Sequence, residues 1–256
     1  MLQVDFGKTA TDYRRHRAGF PEAYFGRVAQ YGIGIKTQAL LDLGTGTGTL
    51  ARGFARRGCR VTGLDPASAM MAQARQIGIE EGIHVDYVEA RAEDSGLPDV
   101  AFDVITAGQC WHWFKRDVVA REAKRMLRAN GALVISHLDW LPVTGNVVAA
   151  SEALIRRHNP AWNLGDGKGI YPQWFSDLMA AGFVGIESFS FDVDLPYSHE
   201  AWRGRLRASA GIAASLEAPA IEKFDSELAA MLAAEFPRPV LAVPHRVFTV
   251  LGRKPG

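Results

Sequence analysis

Two cysteines among 256 residues, Cys59 and Cys110, are too few for a disulfide framework, and their separation suits no metal site. Charge of one sign is equally lacking. The chain has 29 lysines and arginines against 28 aspartates and glutamates, a formal net charge of +1. A chain so balanced sets up no global field to draw in nucleic acid or an anionic membrane, so neither partner is expected. No apolar run approaches the roughly 20 residues of a spanning helix. Met1 to Lys8 hold no apolar stretch of signal-peptide length. A soluble, unexported, cytoplasmic protein is the expectation. Repeats and low-complexity tracts are missing too, which removes solenoids and long linkers. His158, His199 and His245 are scattered and make no metal set.

What remains is an ordinary globular composition, 48% hydrophobic and 22% charged, long enough for one α/β domain with a full core or two small ones. Ala39 to Leu43 reads as a buried strand stopped by glycines. Leu50, Ala51, Phe54 and Ala55 recur at helical spacing up to Gly58. Residues 60–64 suit a second strand, 67–76 a helix, 85–88 and 102–106 further strands. Residues 117–128 form an amphipathic helix with Val118, Ala123, Met126 and Leu127 on its apolar side. Asn130-Gly131 is a strong turn signal before the apolar run 132–135. Strands alternating with helices predict a mostly parallel sheet covered on both faces, with right-handed crossovers. Residues 9–31 look helical, broken at Gly19-Phe20-Pro21. The C-terminal part is less regular, with helices expected at 172–181, 199–216 and 219–235 and strands at 184–193 and 247–251. No linker separates a second domain. The expected organisation is therefore one domain over 1–256: a helical lid (1–32), a core (33–138), and a segment completing the sheet and capping its carboxyl edge (139–256).

The sharpest motif is Leu41-Asp42-Leu43-Gly44-Thr45-Gly46-Thr47-Gly48-Thr49-Leu50, set between a strand and a helix. Glycines let backbone turn tightly and approach a ligand with no Cβ in the way. A tight strand-to-helix turn without a ligand is the bland alternative. Dinucleotide loops commonly run G-x-G-x-x-G; here the third glycine is Gly48, and Thr49 stands where the dinucleotide pattern needs one. Asp65 closes the second strand, 21 residues after Gly44. An acid at this separation accepts hydrogen bonds from ribose hydroxyls. It could equally cap the helix beginning near Pro66, and the two roles are compatible.

Four blocks, taken in order, resemble the class I S-adenosylmethionine-dependent methyltransferases, and especially their small-molecule, trans-aconitate methyltransferase-like branch. They are the glycine loop; Gly63-Leu64-Asp65-Pro66-Ala67-Ser68-Ala69-Met70; Glu89-Ala90-Arg91-Ala92-Glu93-Asp94 with Leu97-Pro98; and Phe102-Asp103-Val104-Ile105-Thr106-Ala107-Gly108-Gln109-Cys110-Trp111-His112-Trp113-Phe114. The resemblance implies a Rossmann-like, doubly wound, mostly parallel seven-stranded sheet with an antiparallel last strand and a partly helical cap. It also implies S-adenosylmethionine as cofactor. Asp42, Gly44, Thr45 and Gly46 would face its methionine part and Asp65 its ribose. Pro66 and Met70 would pack on the adenine, with Ala92 and Glu93 along the adenine's polar edge. Gln109 would floor the methyl site. Tyr13 and Arg17, in an N-terminal element resembling the family's Tyr-x-x-x-Arg-Pro-x-Tyr-Pro, would close over the cofactor. The chain departs from the pattern at Arg91, where relatives often carry Asp, which puts a side-chain contact to the adenine amino group in doubt; Ala67 replaces a common Ser and Ala18 the Pro of the N-terminal element.

The stretch after the fourth strand bears on the acceptor. Enzymes that methylate adenine or glutamine amide nitrogens resemble one another in an Asn/Asp-Pro-Pro-Tyr/Phe run here, and this chain has none. It offers three aromatic rings around His112, suited to an apolar pocket for a small molecule. Trp111 and Trp113 are candidates for its walls, joined by Trp140 and by Arg205, whose guanidinium could hold an acceptor carboxylate. His112 is the candidate base. The alternative is a histidine that fixes the turn, since methylation of a carboxylate or thiolate needs positioning and no base. An NAD-dependent oxidoreductase and a non-catalytic S-adenosylmethionine-binding module are competing functions.

Overall fold

The computed structural model describes residues 19–209, 211–212 and 215–256. The expected lid contacts of Tyr13 and Arg17 lie outside the described residues. The chain forms two compact units, one holding residues 19–138, 171–191 and 247–256, the other holding 139–170 and 192–246 among its described residues.

The first unit carries the alternating pattern read from the sequence. Its elements begin with α1 (Glu22–Ala29), β1 (Ala39–Leu43), α2 (Thr49–Ala55), β2 (Arg60–Asp65), α3 (Ser68–Glu81), β3 (Asp86–Glu89) and β4 (Phe102–Gly108). A short 3-10 turn (Trp111–Trp113), α4 (Arg116–Met126) and β5 (Leu127–Trp140) follow. Later come α5 (Val147–His158), α6 (Gln173–Ala180), β6 (Val184–Ser198), α7 (His199–Arg207), α8 (Ala218–Glu235) and β7 (Val240–Arg253). The seven strands make one sheet in the order β3-β2-β1-β4-β5-β7-β6. β1 lies parallel between β2 and β4, with Leu40 opposite Val61 on one side and Val104 on the other. Central parallel strands are covered on both faces, and Leu40, Leu41 and Leu43 are accordingly all fully buried. β7 runs against β5: the Asn130 amide donates to the Lys254 carbonyl and the Lys254 amide to the Gly131 carbonyl. This is the expected Rossmann-like sheet with its antiparallel last strand. The strand order reverses at β1 and β4, and ligands of such sheets bind where the carboxyl ends of those strands part.

Three local departures have physical causes. The helix expected to stop near Gln76 runs on to Glu81 and ends at Gly82, a left-handed residue with φ 64°. Gly78 is needed inside it because a Cβ there would stand 2.8 Å from the Ile83 carbonyl oxygen. Asn130-Gly131 does not reverse the chain: it forms a bulge within β5, with Asn130 at φ 61° and the register against β4 shifting between Phe102 and Val104. α5 was absent from the sequence expectation, although its signals are present: the Asn146 side chain accepts from the Ala149 amide, and Val147, Val148, Leu154 and Ile155 are buried.

The second unit has its own apolar cluster, in which Val148 and Leu154 of α5 meet Trp202 and Leu206 of α7 and Phe224, Leu228 and Leu232 of α8.

Candidate active site

The site is built from the carboxyl ends of β1, β2 and β4. Gly44, Gly46 and Gly48 all take left-handed backbone, at φ 60°, 54° and 74°. That conformation strains any residue bearing a Cβ. Space forbids a Cβ as well: on Gly44 it would stand 2.9 Å from both Cβ and Sγ of Cys110, and on Gly48 2.5 Å from the Tyr87 hydroxyl. The Thr45 amide donates to the Leu64 carbonyl at 3.0 Å and the Gly48 amide to the Thr45 carbonyl at 2.8 Å, which fixes the curl of the loop.

Asp42, placed by β1 below the loop, is 2% exposed. Its carboxylate accepts from the Thr45 hydroxyl and the Thr106 hydroxyl, each at 2.8 Å. Burial is the main influence on it and outweighs those bonds, raising its pKa from 3.8 to about 6. Asp42 thus braces the loop from beneath.

Asp65 ends β2 with one carboxylate oxygen accepting from the Gly46 amide at 2.8 Å and the other from the Ala67 amide at 2.9 Å. The second bond closes a turn ahead of α3, whose N-cap residue is Ala67 and carries no side-chain cap, so the expected N-cap role of Asp65 is corrected; the half-buried carboxylate, its pKa raised by desolvation, keeps further lone pairs on each oxygen. Met70, on the first turn of α3, is buried, and its methyl lies 3.6 Å from where a Cβ on Gly46 would stand; Pro66 is exposed. Loop, acid and apolar floor are therefore one contiguous set, as a nucleoside-bearing ligand requires.

Ala92 is buried within a tight turn whose Asp94 amide donates to the Arg91 carbonyl at 3.1 Å. The Glu93 carboxylate is engaged by the Lys115 amide at 3.1 Å and lies 3.6 Å from the Arg91 Nε. Its bonded task is to tie this turn to the start of α4. Gln109, just past β4, is held at φ 62° while its amide donates to the Ser136 carbonyl at 2.8 Å. A non-glycine residue in left-handed backbone at the end of a central strand is strain of the kind that collects at functional sites.

The aromatic stretch divides. Trp111 has no exposed surface; its indole N–H donates to the Asp177 carboxylate at 2.9 Å, and it packs in the core among Cys110, Val119 and Trp174. The expectation that Trp111 walls an acceptor pocket is therefore corrected. Within a 3-10 turn successive residues point to different sides, and Trp111 takes the inward one. His112 is exposed, and Trp113 is 48% exposed, its ring 4.6 Å from that of His112. The structure adds a residue that the sequence reading missed. His137, near the end of β5, lies 5.3 Å from the His112 ring and 5.0 Å from that of Tyr171. Tyr171 in turn stacks flat on Trp174 at 4.4 Å. Nothing local marks His137, because it sits inside an apolar strand 25 residues from His112.

Trp140 and Arg205 belong to the second unit, where they meet. The Arg205 guanidinium lies 4.8 Å from the centre of the Trp140 ring, and the Trp140 N–H donates to the buried Glu152 at 2.8 Å. Burial pulls the Arg205 pKa down, against the opposing pull of Tyr197 and Asp139. His245, stacked 6.0 Å from Tyr197, is lowered to about 4 by burial, so it is neutral near pH 7.

Residues 41–135 match the methyltransferase domain family. The ubiquinone biosynthesis O-methyltransferase of Pasteurella multocida is 31% identical over 123 residues, 44% of this chain and 51% of that protein. The chain thus spans about half the length of the first curated relatives it matches. A type II methyltransferase of Anaeromyxobacter dehalogenans shares the fold at a TM-score of 0.64 and 23% identity, over 93% of this chain and 98% of that one. The phosphoethanolamine N-methyltransferase 2 of Haemonchus contortus, solved with S-adenosylhomocysteine, shares it at 0.61 and 18% identity, over 99% of this chain and 60% of that one. Residues 41–135 thus carry a methyltransferase domain, and the sheet around them has the fold of these methyltransferase structures.

Proposed function

We propose that this protein transfers a methyl group from S-adenosylmethionine to a small-molecule acceptor by in-line displacement. The observation that carries the reading is the joined geometry of three left-handed glycines and the Asp65 carboxylate, which accepts from the Gly46 amide at 2.8 Å. A loop without Cβ atoms admits the amino-acid end of the cofactor against backbone, and the acid beside it accepts from the ribose hydroxyls. Met70 and Pro66 give the base an apolar face. S-adenosylmethionine supplies, when bound, an activated methyl group on a sulfonium centre.

The chain's own work is orientation and proton handling. The strained Gln109 backbone sets the floor of the methyl site. His112, exposed beyond β4, would take the proton of an acceptor hydroxyl or amine through a ring nitrogen. The exposed Trp113 ring gives that acceptor an apolar wall. The near-neutral chain, with a formal charge of +1, supports a metabolite over a nucleic acid.

Thermal unfolding with S-adenosylhomocysteine, S-adenosylmethionine, NAD and no ligand tests the cofactor. A ligand at 100 times its dissociation constant stabilises by about 2.7 kcal/mol, a melting shift of roughly 5–11 °C for a protein of this size. A shift with the sulfonium pair alone is expected; a shift with NAD alone would overturn the reading. Transfer of labelled methyl from S-adenosylmethionine into a metabolite library then tests the reaction.

A further inference from the structure

Arg52 looks, in sequence, like one more arginine on an amphipathic helix. It is in fact 6% exposed. Its backbone amide donates to the Gly48 carbonyl at 2.9 Å, which starts α2, while its side chain turns back beneath the glycine loop. There Nη1 donates to the carbonyl of Thr47, the residue between the left-handed Gly46 and Gly48. Nε donates to the Glu81 carboxylate at 2.7 Å. Glu81 is the last residue of α3, the helix whose first turn supplies Met70. The exposed Arg56 reaches the same Glu81 oxygen at 2.7 Å, and the Tyr87 hydroxyl of β3 sits beside Arg52 below Gly48.

We propose that Arg52 is a positioning residue for cofactor binding, a buried brace that sets the glycine loop against the helix carrying the adenine side of the site. Three glycines in five loop residues leave this segment with more conformational freedom than any other stretch of β1 to α2, and a ligand that must order a loop loses affinity for doing so. Fixing the Thr47 carbonyl removes that cost in advance. Only a planar guanidinium does this while bonding Glu81 through a different nitrogen; a lysine ammonium cannot span both acceptors with the same geometry. A guanidinium removed from water with a single carboxylate partner is no cheap source of stability, which is why a role in shaping the loop accounts for it better than fold stability alone.

The inference rests on S-adenosylmethionine being the ligand. The test is calorimetric titration of the full chain with S-adenosylhomocysteine, at a temperature well below the melting point of each variant, with Tm measured beside it. Arg52→Lys and Arg52→Met are expected to raise Kd tenfold or more, and Glu81→Gln about fivefold. The surface variant Arg121→Gln on α4 should stay within twofold. Glu81→Gln keeps the arginine and so preserves the test should Arg52→Met fail to fold. A merely structural arginine would lower Tm and leave the Kd of the folded protein alone. Folded Arg52→Lys and Glu81→Gln binding within twofold of the wild type would therefore overturn the inference. Failure of the wild type itself to bind would overturn the functional reading, and the inference with it.

Discussion

Replacing Asp42 by asparagine is expected to change how stability depends on pH. The wild-type carboxyl titrates near 6 in the fold against 3.8 for an ordinary aspartate, because burial penalises its charge more than the Thr45 and Thr106 hydroxyls relieve it. Between those two values the folded chain holds a proton that the unfolded chain has released. Raising pH through that window therefore destabilises the protein. The gap corresponds to about 3 kcal/mol at ~1.4 kcal/mol per pH unit, of which about 2 kcal/mol falls between pH 4.5 and 7.5. Asparagine has the shape of the protonated acid and no charge to bury. Its carbonyl oxygen keeps one threonine hydroxyl, and the other hydroxyl can rotate to accept from the new amide. The stability of D42N relative to wild type should thus improve by about 2 kcal/mol on going from pH 4.5 to 7.5, a relative Tm change of roughly 4–8 °C. Scanning calorimetry of both proteins at four pH values reads this directly, and titrating groups not coupled to Asp42 cancel in the difference. A Tm difference that stays constant across that range would refute the argument that the buried carboxylate is ionised at a cost.

Other outcomes follow from the same geometry. Gly44→Ala forces a Cβ to φ 60° and to 2.9 Å from Cys110 Sγ, so it should cost about 1–3 kcal/mol of stability and abolish S-adenosylhomocysteine binding in titration calorimetry. His112→Asn should lower kcat by about 10²–10⁴ while leaving the S-adenosylhomocysteine Kd within twofold; a kcat near wild type would give His112 a turn-fixing role instead. Trp111→Phe loses the bond to Asp177 and part of a filled core site. Denaturation should show a loss of about 2–4 kcal/mol, with both substrate constants unchanged in the folded protein.

The parts legible in the sequence are those whose physics is local. The glycine loop announces itself because left-handed backbone demands glycine at Gly44, Gly46 and Gly48 themselves. Asp65 is legible because the length of one strand-helix-strand unit fixes where the second strand must end. Trp111 is different, since an aromatic residue in an irregular turn fits a pocket wall or a core equally well. Only the packed structure shows it turned to Asp177. His137 and Arg52 were hidden for a related reason. Each draws its meaning from a partner far along the chain, His112 and Glu81, and neither breaks the apolar or amphipathic pattern around it. α5 was legible and overlooked, with its asparagine cap and apolar spacing both in place.

The unit that holds Trp140 and Arg205 is not continuous in sequence: residues 139–170 and 192–246 contribute to it separately. Its apolar cluster mixes them, since Val148 and Leu154 come from the first segment and Trp202, Phe224 and Leu228 from the second. Exchange between related chains that swapped either segment alone would strand half a core. The two segments are thus bound to diverge as a pair, whereas residues 41–135, with Gly44, Asp65 and Arg52, lie in one uninterrupted stretch that can be inherited whole.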